Sequence, residues 1–144
     1  MTKLIGLCSD HAGYDTKVYV HQLLLDMGYE VVDYGCHSSE RADYPDYAHL
    51  MGAAIDKGEL ERGIAFCGSG NGISMALNKH SRVRAALCWQ VELAELARQH
   101  NDANVLSIPA RFVDEDLCAQ MVKAFLATDF EGGRHEARVA KIPC

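Results

Sequence analysis

The sequence predicts an α/β protein in which a five-stranded parallel sheet carries helices on both faces, a doubly wound arrangement of the Rossmann-like, flavodoxin type. Short apolar runs alternate along the chain with longer segments in which apolar residues recur at helical spacing. The length of 144 residues fits one domain. No internal repeat, low-complexity tract or linker interrupts the pattern, so we expect a single domain over residues 1–144.

Five runs of five or six mostly apolar residues have the length and composition of buried strands. They cover residues 4–8, 30–34, 63–67, 84–89 and 104–108. We expect the strand order 2-1-3-4-5, in which the direction of winding reverses between the first and third strands. Ligands of such sheets bind beyond the carboxyl ends of the strands at that point. The loops that follow these two strands, residues 9–11 and 67–72, should therefore be neighbours.

Helices are predicted between the strands from apolar spacing and from residues that begin or end a helix. The first has apolar residues at i, i+3, i+4 and i+7 from Val20, and Gly28 ends it. Pro45 opens the second at its first position, where a missing N–H costs nothing. A short third helix follows a glycine-rich loop, and a fourth separates the last two strands. Asp114 caps the fifth, and a short sixth follows Gly132.

Composition and charge exclude several classes of function. Fourteen basic against twenty acidic residues give a net charge of −6, whereas a nucleic-acid duplex would need a concentrated basic face. We expect no membrane span, because no apolar run approaches roughly 18 residues. We expect no secretory signal either, because Met1–Ser9 lacks a basic region followed by an apolar stretch and a cleavage site. The six cysteines show no CxxC spacing, so they predict neither a zinc site nor a disulfide scaffold. Reduced thiols in the cytoplasm are the simplest interpretation.

The glycine-rich loop Gly68-Ser69-Gly70-Asn71-Gly72 follows directly on Cys67. Closely spaced glycines let backbone N–H groups converge on an anion, and the N-terminus of the next helix adds a partial positive charge. The spacing matches neither the GxGxxG dinucleotide fingerprint nor a P-loop. It predicts either an anion-binding nest of unspecified type or a tight strand-to-helix turn.

Cys67 stands where a helix N-terminus lowers the pKa of a thiol, and a thiolate there could act as a nucleophile or as a base toward a carbon acid. A cysteine phosphatase would need an arginine six positions further on, where this chain has Ile73, so that class is excluded. An inert buried cysteine is the alternative, and it fits Cys8 and Cys88 better than Cys67.

Two histidine-containing strings are weaker signals on their own. Asp10-His11 ends the first strand, and a carboxylate beside an imidazole can position hydroxyls or bind phosphate. Aspartate at such a place is also a common helix cap. His100 shares a helix face with Leu93 and Leu96, which favours a histidine buried in the core.

The C-terminal helix carries a basic stripe. Arg134 and Arg138 are four residues apart, so their like charges repel, and Lys141 continues the stripe by another turn. Such a pair suits a bridging dianion, because guanidinium groups match phosphate oxygens. A solvated face with Glu131 and Glu136 as partners is the alternative.

Several strings in combination resemble the ribose-5-phosphate isomerase B family, which also contains the galactose-6-phosphate isomerase subunits. The resemblance spans nearly the whole chain in order, and the HND and EGGRH strings are specific in combination. The strings are Cys8–Gly13, Ser39–Pro45, Cys67–Ser74 with Asn78–Lys79, Arg98–Asn104, and Glu131 through Arg138.

The resemblance implies an aldose–ketose isomerase that works through a cis-enediolate without a metal or cofactor, with D-ribose 5-phosphate and D-ribulose 5-phosphate as the expected pair. Cys67 would move a proton between C1 and C2, beside Ser69 for the hydroxyl protons, and His100 would open the furanose ring. The backbone of the glycine loop would hold the enediolate oxygen. Asp10, as a further catalytic residue, and Tyr44 would position hydroxyls for the ring opening. The other implied substrate-binding residues are Asn101 for sugar oxygens, and His11, Arg111, Arg134 and Arg138 for the phosphate.

One departure from the family pattern is informative. Some members lack the cysteine and use a glutamate directly after the third loop glycine, where this chain has Ile73. Of the two kinds of base in the family, this chain therefore has only the cysteine. The resemblance also implies a homodimer or a dimer of dimers, with the C-terminal helix extending to the partner and sites that take residues from both subunits. Neither nucleic acid nor a membrane is an expected partner.

Three alternatives stay open. The same chemistry could act on a hexose 6-phosphate of the allose or galactose type or on a tetrose phosphate, since the depth of the pocket decides between them. A non-catalytic sugar-phosphate-binding module would keep the arginines without needing Cys67 and His100. A nucleotide-binding flavodoxin-like domain would need an acidic ribose contact and a different glycine spacing.

Overall fold

The computed structural model describes residues 3–144, in which strands and helices alternate as the sequence predicts. The strands are β1 (Leu4–Ser9), β2 (Glu30–Asp33), β3 (Arg62–Cys67), β4 (Ala85–Leu87) and β5 (Val105–Pro109). The helices are α1 (Tyr14–Asp26), α2 (Tyr44–Asp56), α3 (Asn71–Leu77), α4 (Val91–Asn101), α5 (Glu115–Ala127) and α6 (Arg134–Ala140). All strand pairs are parallel. No helix in residues 3–144 has both the length and the apolar character that crossing a membrane requires.

The strand order is β2-β1-β3-β5-β4, so the predicted order 2-1-3-4-5 is wrong at its last two places. Burial explains the exchange. All five residues of β5 are buried, as a strand with neighbours on both sides requires, whereas the three residues of β4 are only partly buried and suit an edge. The reversal of winding stays between β1 and β3. The predicted juxtaposition of the loops after these strands is therefore unaffected.

Helices cover both faces of the sheet and enclose two apolar clusters. α1, α4 and α5 pack together on one face, over a cluster that includes Phe66 and Phe125. α2 and α3 pack together on the other face, over a cluster that includes Met51 and Ile73. Two layers of helix around a parallel sheet leave the strand ends as the places where loops can form a site.

The start of α1 lies against β3 so closely that only glycine fits. A Cβ at Gly13 would lie 2.5 Å from the carbonyl oxygen of Phe66 and 2.6 Å from its carbonyl carbon. Both are backbone atoms of a central strand and cannot move aside. We expect Gly13→Ala to lower the free energy of unfolding by about 3 kcal/mol, the upper part of the range for overpacking.

Gly28→Ala is the matched control for this prediction. Gly28 has a φ of +90°, but a Cβ there would meet nothing within 4 Å. Only the backbone conformation is then disfavoured, at a cost of about 1 kcal/mol. Chemical denaturation of both variants measures the difference, and equal losses would contradict the steric explanation for Gly13.

Candidate active site

The glycine-rich loop turns sharply between β3 and α3. Gly70 has a φ of +76°, in the left-handed region that favours glycine. Its carbonyl accepts hydrogen bonds from Ser74 Oγ (2.6 Å) and Ser107 Oγ (3.0 Å). Both serines are buried. The turn is therefore fixed within the chain itself, as an anion nest or an oxyanion hole requires.

Cys67 is the last residue of β3 and stands at the mouth of this loop. It is 4% exposed, and its carbonyl accepts a hydrogen bond from Ala110 N (2.9 Å) in the loop after β5. Three other thiols lie deeper in the core, away from the loop. Burial raises the pKa of Cys88 to about 11 and that of Cys118 to about 12, and it raises the pKa of Cys8 further still. These three remain protonated at neutral pH, as inert core cysteines do.

Asp10 and His11 follow β1 and lie at the same edge of the sheet as Cys67. Asp10 N donates to the carbonyl of Phe66 (3.3 Å), which confirms that the loops after β1 and β3 are neighbours. The carboxylate of Asp10 accepts a hydrogen bond from Gly13 N (3.0 Å), so it caps the turn into α1. His11 Nδ1 lies 3.1 Å from the carbonyl oxygen of Ala42 and 3.2 Å from its nitrogen. The imidazole thereby holds the segment that leads into α2.

Tyr44 and Arg111 border the glycine loop. The Tyr44 ring occupies the place where a Cβ of Gly72 would lie, with its hydroxyl oxygen 2.7 Å from that position. Arg111 Nη1 lies 3.1 Å from the Cβ position of Gly68, and Arg111 N donates to the Gly68 carbonyl (3.1 Å). A side chain at Gly72 would displace the phenol, whereas one at Gly68 would press against the guanidinium. Glycine at position 72 is therefore needed for the close approach of Tyr44.

These residues form one group at the carboxyl ends of β1, β3 and β5. The carboxyl-end group consists of Asp10, His11, Tyr44, Cys67, Gly68, Ser69, Gly70, Asn71, Gly72 and Arg111. A cavity of about 480 Å³ lies beside the loop and is lined by Ser69, Asn71, Leu87, Trp89, Pro109 and Phe112. The group combines a thiol, a carboxylate, an imidazole and a guanidinium around a preformed turn.

The other predicted site residues lie at the opposite end of the sheet. α4 ends at Asn101, and the chain returns to β3 where Gly63 N donates to the carbonyl of Asn104 (2.9 Å). α6 packs on α4. The amino-end group consists of His100, Asn101, Arg134 and Arg138.

The strand register separates the two groups. Gly63 pairs with Val105 at one end of β3, and Cys67 pairs with Pro109 at the other. Four residues of strand span about 13 Å at roughly 3.3 Å per residue. His100 lies beyond the start of β5, so the distance to Cys67 is greater still. Within one chain, the Cys67 thiol and the His100 imidazole are therefore too far apart to contact adjacent atoms of the same sugar.

His100 is not the core histidine that its helix face favours. Its side chain is 39% exposed, and the buried residues of α4 are Ala94, Ala97 and Arg98. The buried stripe is displaced because the guanidinium of Arg98 enters the interior. There it donates to the carbonyls of Ala103 (2.7 Å) and Thr128 (3.1 Å). The imidazole is left at the surface, accessible to a ligand.

Several supporting residues escape the sequence analysis. Asp102 has a left-handed φ of +47°, and its carboxylate accepts hydrogen bonds from Arg98 (2.9 Å) and Arg84 (3.3 Å). These bonds fix the turn directly after His100. Ser107, which supports Gly70, lies inside an apolar strand where no local pattern marks it. The HND string does contain Asp102, but its partners are apparent only from the tertiary structure.

A second cavity, of about 490 Å³, lies at the amino ends of the strands. It is lined by four arginines, Arg62, Arg82, Arg84 and Arg98. All four guanidiniums donate to carbonyls near helix ends, those of Asp56, Leu126, Thr128 and Asp102. Positive side chains at the negative ends of helices stabilise a fold, so these arginines have a structural explanation.

A family model matches almost the whole chain. Residues 5–142 match the family model described as Ribose/Galactose Isomerase. The chain belongs to the ribose/galactose isomerase family. This family member is 44% identical over 140 residues to ribose-5-phosphate isomerase B of Escherichia coli (strain K12), over 97% of this chain and 94% of that protein. The resemblance stated from the sequence strings is thus confirmed.

Solved structures of the family share the fold. Ribose-5-phosphate isomerase B of Clostridium thermocellum is 45% identical with a TM-score of 0.95, over 96% of this chain and 94% of that one. Ribose-5-phosphate isomerase B of Mycoplasma genitalium with bound ribulose-5-phosphate is 40% identical with a TM-score of 0.92, over 96% and 93% of the two chains. These matches confirm a five-stranded parallel sheet with helices on both faces.

Proposed function

We propose that this protein is an aldose–ketose isomerase that interconverts D-ribose 5-phosphate and D-ribulose 5-phosphate. The observation that carries the proposal is Cys67 at the mouth of a turn that buried hydroxyls fix, with Tyr44 and Arg111 beside it. The names of the relatives and the ribulose-5-phosphate bound to the Mycoplasma genitalium enzyme support the choice of substrate. Residues 1–144 act as one sugar-phosphate isomerase domain, which we place in the cytoplasm.

The reaction begins with opening of the furanose ring. His100 gives a proton to the ring oxygen as the bond from C1 to that oxygen breaks. The hydroxyl at C1 loses its proton to the Asp10 carboxylate, and C1 becomes an aldehyde. Tyr44 and Asn101 hold neighbouring sugar oxygens. Positioned acids and bases contribute about 10²–10⁴-fold to such steps.

The isomerisation itself moves one proton between two carbons. The Cys67 thiolate removes the proton from C2, and the electron pair passes to the carbonyl oxygen on C1, which gives a cis-enediolate. Ser69 transfers a proton between the oxygens on C2 and C1. The Cys67 thiol then returns its proton to C1. Backbone N–H groups of the loop from Gly68 to Gly72 hold the developing oxyanion, where one preorganised donor contributes about 3 kcal/mol.

The full site is assembled from two copies of the chain. The carboxyl-end group of one copy faces the amino-end group of its partner, so that His11 and Arg111 from one chain and Arg134 and Arg138 from the other hold the phosphate. A two-fold axis creates two identical sites. The separation of the two groups in one chain supports this arrangement. So do Trp89 and Phe112 beside the loop, which are 49% and 75% exposed and form an apolar rim.

Turnover of three sugar phosphates tests the substrate. We expect kcat/KM for ribose 5-phosphate to exceed the values for allose 6-phosphate and galactose 6-phosphate by about tenfold or more, since an extra group in a fitted pocket costs roughly 1–3 kcal/mol. Initial rates of ketose formation measure this. A preference for either hexose would assign the same chemistry to the longer sugar. Binding of all three without turnover would contradict the isomerase and favour a binding module.

A further inference from the structure

His100 stacks against a second histidine, which comes from α6. The ring centroids of His100 and His135 lie 4.3 Å apart, and the ring planes are inclined by 15°. His135 is only 7% exposed, whereas the His100 side chain is 39% exposed. One face of the His100 ring is thus covered by a buried partner, while the rest of the ring remains accessible.

Glu131 connects the two rings to the end of α4. Its backbone N–H donates to the carbonyl of Gln99 (3.1 Å), in the last turn of that helix. Its Oε1 lies 3.9 Å from His100 Nε2 and 3.8 Å from His135 Nε2. The carboxylate therefore stands beside the edges of both rings. The loop, the stacked pair and the helix end form one connected unit.

His135 is suited to stacking rather than to titration. Burial lowers its pKa, and the positive charges of His100, Arg134 and Arg138 lower it further against the opposing effect of Glu131. A neutral imidazole can stack on His100 in either protonation state of that residue without like-charge repulsion. The stack is therefore compatible with proton transfer at His100.

The same three side chains are also of types that bind transition metals. Single ligand atoms of His100, Glu131 and His135 lie within 4.8 Å of one another. The geometry favours the stack instead. Nearly parallel rings direct their Nε2 lone pairs side by side rather than toward one ion. The positive charges of Arg134 and Arg138 also oppose a cation at this place.

We propose that His135 is a positioning residue, which by stacking holds the His100 imidazole in the orientation that delivers a proton to the ring oxygen of the sugar. The inference rests on the ring-opening role proposed for His100. Without the stack the imidazole can rotate, and a misplacement of about 1 Å can cost as much as 10²-fold in rate. Proton transfer between C1 and C2 uses Cys67 and does not require the imidazole.

Two rates measured on each variant separate these steps. The first is the entry of solvent deuterium at C1 of ribulose 5-phosphate in D₂O, followed by NMR, which reports the Cys67 step alone. The second is net conversion of ribose 5-phosphate to ribulose 5-phosphate, in which the furanose ring must open. In His135→Ala we expect conversion to fall by about 10-fold to 10²-fold, while exchange stays within about threefold of wild type. His135→Phe keeps an aromatic face and should recover most of the conversion.

The outcomes distinguish positioning from a merely structural role. If exchange and conversion fall in parallel in His135→Ala, or if neither changes, the inference is overturned. Loss of wild-type activity in EDTA with recovery on addition of Zn²⁺ would overturn it too, because the three side chains would then bind a metal.

His100→Ala is the reference variant. If it raises the ratio of exchange to conversion and His135→Ala does not, only the role of His135 fails. If His100→Ala leaves the ratio at the wild-type value, the ring-opening role itself fails.

Discussion

Replacement of Cys67 with alanine should abolish turnover and leave binding of ribose 5-phosphate largely intact. Alanine preserves the end of β3 and its hydrogen bond from Ala110, which uses backbone atoms only. It removes the sulfur that we propose carries the proton between C1 and C2. We expect kcat to fall by about 10³-fold, within the range for loss of a positioned base, and the dissociation constant to change by less than about threefold. Initial rates and isothermal titration calorimetry measure the two quantities.

Cys118→Ala is the control for loss of a buried thiol. Cys118 is fully buried in α5, on the face of the sheet away from α2 and α3. Its replacement should cost stability, about 1 kcal/mol for the missing sulfur, without affecting kcat. If Cys67→Ala retained kcat within about tenfold of wild type, the base would have to be another residue.

Much of the fold follows from local signals that the structure confirms. The carboxylate of Asp114 accepts a hydrogen bond from Leu117 N (2.8 Å) at the start of α5. Pro45 lies in the first turn of α2, as its second residue and one place later than predicted. The two strands that the sequence misplaces are those whose position no local signal fixes. Consecutive strands are usually neighbours, and β4 and β5 do lie side by side. Which of the two takes the edge of the sheet is decided by how fully each strand can be buried.

The site could be predicted from the sequence only in part, for a similar reason. Because the winding reverses between β1 and β3, topology places Asp10 beside the loop after Cys67. The burial of Arg98 is accompanied by hydrogen bonds to the carbonyls of Ala103 and Thr128, which lie outside its helix, and His100 of the same helix is left at the surface. The support of Gly70 by Ser107 joins residues from different strands. Long-range partners of this kind are absent from any pattern in the chain.

Two inactive variants should restore each other's activity when they are combined. Cys67→Ala removes the proposed base from the carboxyl-end group, and His100→Ala removes the proposed ring-opening group from the amino-end group. In a mixed dimer one site receives both substitutions, while the other receives His100 from one chain and Cys67 from its partner. That second site is wild type in every residue. Co-expression with two different affinity tags isolates the mixed dimer, whose kcat per dimer should be about half that of wild type.

The size of this recovery separates two arrangements of the site. If Cys67 and His100 of the same chain acted together, each site of the mixed dimer would lack one of them, and activity would stay near that of the parent variants. Cys67→Ala combined with Ser69→Ala is the matched control, because both residues belong to the carboxyl-end group and no mixed site can hold both intact. Recovery to about half in the first pair and none in the second follows only from sites shared across a two-fold axis. A chain that sediments as a monomer with full activity would contradict the shared site, because the strand register alone keeps the two groups more than about 13 Å apart.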